Sequence, residues 1–199
     1  MTAIERTAYP RFSPKAQYRR DVLELNYQLS HIELEFIKKL ARNTRARLNI
    51  ATQLKCIQNI GYFVDPEEIP KAIQKYLRSQ LLIKGPLKTG YTHRSSKSTH
   101  RNKIRDFLEI KKWDRKIIKN GADDISSQRF ALNVAFQSAQ TLNHPADIIN
   151  IVIETMLNQK YELPSFNILD RLVRHAKFAV NNKIFSVGVP ATFMWNFTV

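Results

Sequence analysis

Basic and hydroxyl-bearing side chains are concentrated between Lys84 and Lys119. This stretch contains 12 Lys or Arg and only three acids. Thr92, Ser95 and Ser98 lie among the charges. Lys and Arg neutralise phosphates, and hydroxyls donate hydrogen bonds to phosphate oxygens. The stretch therefore indicates a polyanion as partner, although an isolated charge run is more often a solvated surface.

The charge of the whole chain favours the polyanion. Its 199 residues contain 32 Lys and Arg against 17 Asp and Glu, which gives a net charge of +15. Such an excess is typical of proteins that bind nucleic acid or an anionic membrane. No apolar run approaches the roughly 20 residues that span a bilayer, and the N-terminus lacks the apolar centre of a secretory signal. We therefore expect a cytosolic protein with no membrane partner.

Metal, cofactor and catalytic motifs are missing from the sequence. Cys56 is the single cysteine, which excludes an intramolecular disulfide and a zinc site built on several thiolates. The five histidines show no HxxxH or HExxH spacing, and no GxxxxGK[ST], GxGxxG or GxSxG motif occurs. Most acids stand where a helix start favours them. The sequence predicts no metal, no cofactor and no catalytic residue.

Two pairs of helices are predicted in the first 120 residues. Ser30 and Glu33 form a capping-box pattern that predicts a helix over 31–41. A second apolar stripe begins near Arg47 and ends at Gly61, a residue suited to a helix C-terminus. This helix–turn–helix order would let the second helix enter a major groove, although an ordinary helical hairpin shows the same order.

The second pair follows the same order. An apolar stripe runs from Ile69 to Leu81, and Ser98 or Thr99 is the expected N-cap of a basic helix that ends near Ile110. Beyond residue 120, three broader stripes predict a helical bundle. Their helices are expected over 126–142, from Pro145, and after Ser165. The final residues, SVGVPATFMWNFTV, show no helical period and are interpreted as a strand or a flexible end.

The predicted fold class is all-α, with about seven helices. Two small helix-turn-helix-like basic units precede a three-helix bundle. The predicted divisions are residues 1–62, 63–120, 121–183 and an irregular or truncated tail at 184–199.

Four blocks carry a resemblance to a known family. They read RLNIATQLKCIQNIGYF, IPKAIQKYLRSQLLI, YTHRSSKSTHRNKIRDFLEIKKWD and YELPSFNILDRLVRHAKFAVNNKIF. In order and spacing, they resemble the N-terminal region of the large replicative transposases of the Tn-three family, from about Leu29 to Phe185. The resemblance implies a DNA-binding region that recognises the terminal inverted repeats of a transposon. It implies that strand cleavage belongs to a later acidic triad, which this sequence does not contain.

The resemblance also places individual residues. Arg45, Arg47 and Leu48 match the start of the first block. Tyr91, Arg94, Thr99, Arg101 and Arg105 match the block of Tyr followed by an Arg-rich helix. After Phe185 the resemblance ends, so we expect a truncated, frameshifted or deliberately cut transposase.

Together these observations predict a protein that binds double-stranded DNA at transposon ends without cutting it. Self-association, or association with the remainder of a transposase, is a further expected contact. The candidate DNA-binding side chains lie in the two basic helical units: Arg42, Arg45, Arg47, Tyr91, His93, Arg94, Lys97, Thr99, Arg101, Lys103, Arg105 and Lys112. The first alternative is a helical structural or interaction module with no sequence-specific DNA contact. An RNA-binding protein and an enzyme are weaker alternatives.

Overall fold

The computed structural model describes residues 4–12, 18–85, 89–114 and 126–182. The described chain is all-α, as the sequence predicts. Its eight α-helices are α1 (Arg20–Tyr27), α2 (His31–Leu40), α3 (Thr44–Ile60), α4 (Lys71–Gln80), α5 (Arg94–Leu108), α6 (Ser127–Ala139), α7 (Pro145–Asn158) and α8 (Phe166–Asn181). Short 3-10 turns occur at Ile4–Arg6 and Pro66–Glu68.

The chain divides into two compact units. One spans Pro10–Lys112 and contains α1 to α5; the other combines Met1–Tyr9 with Trp113–Val199 and contains α6 to α8. We call them the α1–α5 unit and the α6–α8 unit. The division predicted between residues 62 and 63 falls inside the α1–α5 unit, because α3 packs against both α4 and α5. The two predicted basic helical pairs therefore share one hydrophobic core.

Helix α3 is the centre of the α1–α5 unit. Every residue from Leu48 to Ile57 is buried, because α1, α2, α4 and α5 all contact this helix. Its polar side chains are satisfied internally: the Thr52 hydroxyl donates to the Leu48 carbonyl at 2.9 Å, and the Gln53 amide donates to the Val64 carbonyl. The sequence suggested α3 as the helix that enters a major groove. That interpretation is wrong beyond its first turn, since a helix buried on all sides cannot lie on DNA.

Local capping signals are confirmed by the backbone. Ser30 accepts the amide of Glu33 and the Glu33 carboxylate accepts the amide of Ser30, so the predicted capping box starts α2. The Asn43 side chain caps α3 by accepting the Ala46 amide at 2.7 Å. Gly61 ends α3 with a φ of 76°, in the left-handed region that glycine adopts without steric cost.

A buried ion pair joins α2 to α3. The Lys55 ammonium lies 2.8 Å from Glu33 Oε2, and the two side chains are only 9% and 8% exposed. The Gln58 amide donates to Glu33 Oε1 at 2.8 Å. Burial raises the pKa of Glu33, but hydrogen bonds from Lys55, the Ser30 amide and Gln58 outweigh it and leave that pKa below its ordinary value. The carboxylate is thus held ionised inside the protein.

Helix α5 begins earlier than the sequence predicts. Its N-cap is His93, so Ser98 and Thr99 lie within the helix and do not cap it. The His93 side chain makes no capping hydrogen bond, which explains why a search for Ser or Thr misplaced the start. Ile104 anchors the helix with no exposed surface, and Phe107 stacks on Phe36 with ring centroids 4.2 Å apart.

The α6–α8 unit is a three-helix bundle in which each helix contacts the other two. Its helices begin at Ser127, Pro145 and Phe166, close to the predicted starts. Residues 4–9 also belong to this unit, and the Tyr9 hydroxyl donates to the Pro164 carbonyl at 2.9 Å. The tail predicted at 184–199 lies outside the described residues. Among the described helices, none combines the length and apolar composition needed to cross a membrane.

Candidate nucleic-acid interface

A groove opens on the α1–α5 unit between the α2–α3 turn and the start of α5. Its volume is about 380 Å³. Arg42 and Arg45 line one side, and His93, Ser96 and His100 line the other. We call it the α3–α5 groove. It brings together residues separated by about fifty positions in the sequence, and the two arginines give it a positive charge.

The segment before α5 is fastened to α3 at Gly90. The Asn49 amide donates to the Gly90 carbonyl at 2.8 Å, and the Gly90 amide donates to Asn49 Oδ1 at 2.9 Å. Arg45 Nε donates to the same carbonyl at 3.1 Å. Gly90 has a φ of 114°, a conformation that residues with a Cβ rarely adopt. These contacts fix the start of α5 against the first turns of α3.

Tyr91 and His100 form a pair on the α5 side of the groove. The Tyr91 hydroxyl lies 3.1 Å from His100 Nδ1, and the ring centroids are 5.5 Å apart. Burial raises the pKa of Tyr91 and lowers the pKa of His100 below its ordinary value. Both side chains are therefore held neutral near pH 7 and can act as hydrogen-bonding and stacking groups.

The outward face of α5 carries cations and hydroxyls. Its exposed residues include Arg94, Ser95, Ser96, Ser98, Thr99, Asn102, Lys103 and one acid, Asp106, whose carboxylate lies 3.9 Å from the Lys103 ammonium. The first turn of α5 contains no acid, although acids are favoured at the positive end of a helix dipole. This face continues the positive surface of the groove and presents groups suited to phosphate oxygens.

Other predicted cations point into the protein. Arg101 Nε donates to Gln53 Oε1 at 2.9 Å, and Arg101 Nη2 donates to Asp65 Oδ1 at 3.0 Å. Lys97 forms an ion pair with the same carboxylate. The hydrogen bond from Lys97, helped by the charge of Arg101, holds the pKa of Asp65 below its usual range despite partial burial. These side chains hold residues 63–65 against α5.

Arg105 and Arg47 are also engaged in intramolecular contacts. The Arg105 guanidinium lies 4.7 Å from the Phe63 ring centroid and donates to Asn102 Oδ1 at 2.8 Å. Arg47 Nε donates to the Ala41 carbonyl at 3.0 Å, at the end of α2. Both side chains are half-buried.

In the structure, the predicted DNA-binding residues fall into three sets that differ in location, and Lys112 lies outside all three. Arg42, Arg45, Tyr91 and His93 line the α3–α5 groove. Arg94, Thr99 and Lys103 are exposed on the outward face of α5. Arg47, Lys97, Arg101 and Arg105 bind within the protein. Lys112 is exposed beyond the end of α5 and belongs to none of these sets.

The sequence did not identify Gly90 or His100 as parts of the site, and it placed Asn49 only on or near the polar face of its helix. Asn49 is buried in α3, and a buried polar side chain requires a hydrogen-bonding partner. Its partner is 41 residues away, so the pairing itself is visible only in three dimensions.

One family model matches most of the chain. The family model of the domain of unknown function DUF4158 matches residues 1–176. The chain belongs to this family. A comparison of this chain with curated proteins found no match. Within residues 4–12, 18–85, 89–114 and 126–182, no group of three or more His, Cys, Asp or Glu side chains is placed to hold a metal ion.

Proposed function

We propose that this DUF4158 domain binds double-stranded DNA at the terminal inverted repeats of a transposon, as the N-terminal part of a Tn-three family transposase. The resemblance of the four sequence blocks supports the proposed relation to Tn-three family transposases. The net charge of +15 supports a polyanionic partner. In the proposal, catalysis is not a function of this chain. A test of that part is a nicking assay with Mg²⁺ or Mn²⁺, in which cleavage by the purified protein would contradict it.

The observation that carries the proposal is the division of α5 into two faces. Its inward face is anchored by Ile104 and Arg101, while Arg94, Thr99 and Lys103 remain exposed on the other face. A recognition helix needs this combination, because rigid support sets the register of the exposed side chains on the duplex. We therefore propose α5, and not α3, as the helix that contacts DNA.

Binding measured against salt concentration tests the proposal. We expect a duplex of the transposon's inverted repeat to bind about 100-fold tighter or more than a scrambled duplex near physiological salt. Both affinities should fall steeply with salt because bound cations displace condensed counterions. Equal affinity for the two duplexes would reject sequence recognition and leave only charge-driven binding.

The alternative function is a helical interaction module. Exposed apolar side chains on the α1–α5 unit favour it, since Leu25 is 84% exposed and Leu82 is 86% exposed. The internal engagement of Lys55, Lys97 and Arg101 also lowers the number of cations that can meet DNA. Absence of any duplex binding at low salt would favour this alternative.

Arg101 provides a prediction that separates structural from DNA-contacting cations. Arg101→Met should destabilise the α1–α5 unit by about 1–3 kcal/mol, because it leaves the buried Gln53 Oε1 without its donor and removes one of the two cations, Arg101 and Lys97, that bind Asp65. Arg94→Met should change the free energy of unfolding by less than about 0.5 kcal/mol, since Arg94 is exposed. Urea denaturation measures both variants.

DNA affinity should change in the opposite order. Folded Arg101→Met should bind the inverted-repeat duplex within about twofold of wild type, whereas Arg94→Met should lose about fivefold or more, at about 1 kcal/mol for a lost phosphate contact. A large affinity loss in Arg101→Met, measured where the variant is fully folded, would place Arg101 on the DNA.

A further inference from the structure

The α3–α5 groove is larger than a single phosphate group requires. Its volume of about 380 Å³ equals that of roughly a dozen water molecules. Leu40, Ala41 and Ala46 contribute apolar surface to its lining, next to the arginines. A phosphate group alone would leave this apolar surface uncovered. The lining instead suits a ligand with one anionic part and one flat, mostly apolar part.

The anionic part has a defined place. Arg42 is exposed at the groove, while His93 and Ser96 lie at the start of α5, where the first amides of the helix have no intrahelical acceptor. The neighbouring asparagines are already used: Asn43 caps α3 and Asn49 binds Gly90. Arg42 and the start of α5 are thus the groups in the groove that are available to bind a phosphate.

The Tyr91–His100 pair provides a surface for the flat part of such a ligand. The Tyr91 hydroxyl and His100 Nδ1 satisfy each other. Within the described part of the chain, His100 Nε2 makes no hydrogen bond and remains for an occupant. Neutral aromatic rings of this kind stack on bases and bind base edges.

We propose that the α3–α5 groove holds one unstacked nucleotide of the bound DNA, with its phosphate against Arg42 and the start of α5 and its base against Tyr91 and His100. This inference rests on the proposed function of DNA binding. A base inside an intact duplex is stacked and cannot enter the groove, so the nucleotide must be extrahelical. The groove thereby selects DNA that is locally distorted over DNA that is fully paired.

The test compares two duplexes of the same inverted-repeat sequence, one fully paired and one with a single unpaired nucleotide. Fluorescence anisotropy of the full chain should show about tenfold tighter binding of the second duplex or more, because its nucleotide is already unstacked. Ser96→Phe places a large uncharged side chain in the groove and should bring the ratio of the two affinities to about one. Ser79→Phe is the matched control; Ser79 is exposed on α4, outside both the groove lining and α5, so the ratio should persist.

The outcomes separate the inference from the proposed function. Equal binding of both duplexes by wild type, or an unchanged ratio in folded Ser96→Phe, overturns the groove inference and leaves DNA binding intact. Failure to bind either duplex overturns the proposed function itself. Competition gives an independent readout: a deoxynucleoside 5′-monophosphate should displace the unpaired-nucleotide duplex at lower concentration than inorganic phosphate. Equal displacement by the two competitors would overturn the assignment of a base to the Tyr91–His100 pair.

Discussion

Replacing Lys55 with Met is expected to destabilise the α1–α5 unit by about 3–5 kcal/mol, because it leaves the Glu33 carboxylate buried without its counter-ion. Glu33 is 6% exposed, and Lys55 contacts both of its carboxylate oxygens. The remaining hydrogen bonds from Ser30 and Gln58 are too few to offset the lost charge. Urea denaturation followed by circular dichroism measures the change in the free energy of unfolding.

Two controls identify the cause. Lys38→Met changes the same residue type at an exposed position of α2 and should alter stability by less than about 0.5 kcal/mol. The double variant Glu33→Gln with Lys55→Met removes both charges and should recover a large part of the loss, because no uncompensated charge remains buried. A Lys55→Met variant as stable as wild type would show that the pair contributes nothing to the fold.

The Lys55→Met substitution should reverse the way in which the contribution of Glu33 to stability depends on pH. In wild type the pKa of Glu33 is lowered, so its contribution is complete above its unfolded pKa and is lost as pH falls through the folded value. In Lys55→Met, burial dominates and raises the pKa of Glu33, so the variant should gain stability as pH falls from 7 towards 5. Denaturation at several pH values measures this; parallel profiles for the two proteins would contradict it.

A triple variant, Arg42→Ala with Arg94→Ala and Lys103→Ala, is expected to weaken binding of the inverted-repeat duplex by about 100-fold, at about 1 kcal/mol for each exposed cation. All three side chains are exposed, at the groove and on the outward face of α5. If each neutralises one phosphate, the slope of log K against log salt should become shallower by about 2.7. Anisotropy titrations at several salt concentrations measure both quantities.

A matched variant controls for net charge. Lys71, Lys75 and Lys84 are exposed residues of the same unit, on α4 and just beyond it. Changing all three to Ala lowers the net charge by the same amount but leaves the proposed surface intact, so the salt slope should stay within about 1 of the wild-type slope. Equal losses in the two triple variants would mean that overall charge, and not the α5 surface, controls binding.

Local structure was predictable from sequence where a few neighbouring residues determine it. The capping box of Ser30 and Glu33, the helix end at Gly61 and the start of α7 at Pro145 all involve contacts within one turn. Apolar periodicity likewise identified the helices, because burial of one face requires that spacing. The start of α5 was missed, since His93 caps it without a side-chain hydrogen bond.

The sequence by itself therefore determined the all-α class, most helix boundaries and the excess of positive charge. Only the tertiary structure decided which charges reach solvent. Arg101 and Arg94 belong to the same basic helix, yet one binds Gln53 on α3 and the other is exposed. Likewise Lys55 looks like a surface residue but is buried against Glu33. The physical reason is that long polar side chains are stable in water or in a paired interior, and only contacts distant in sequence decide between them.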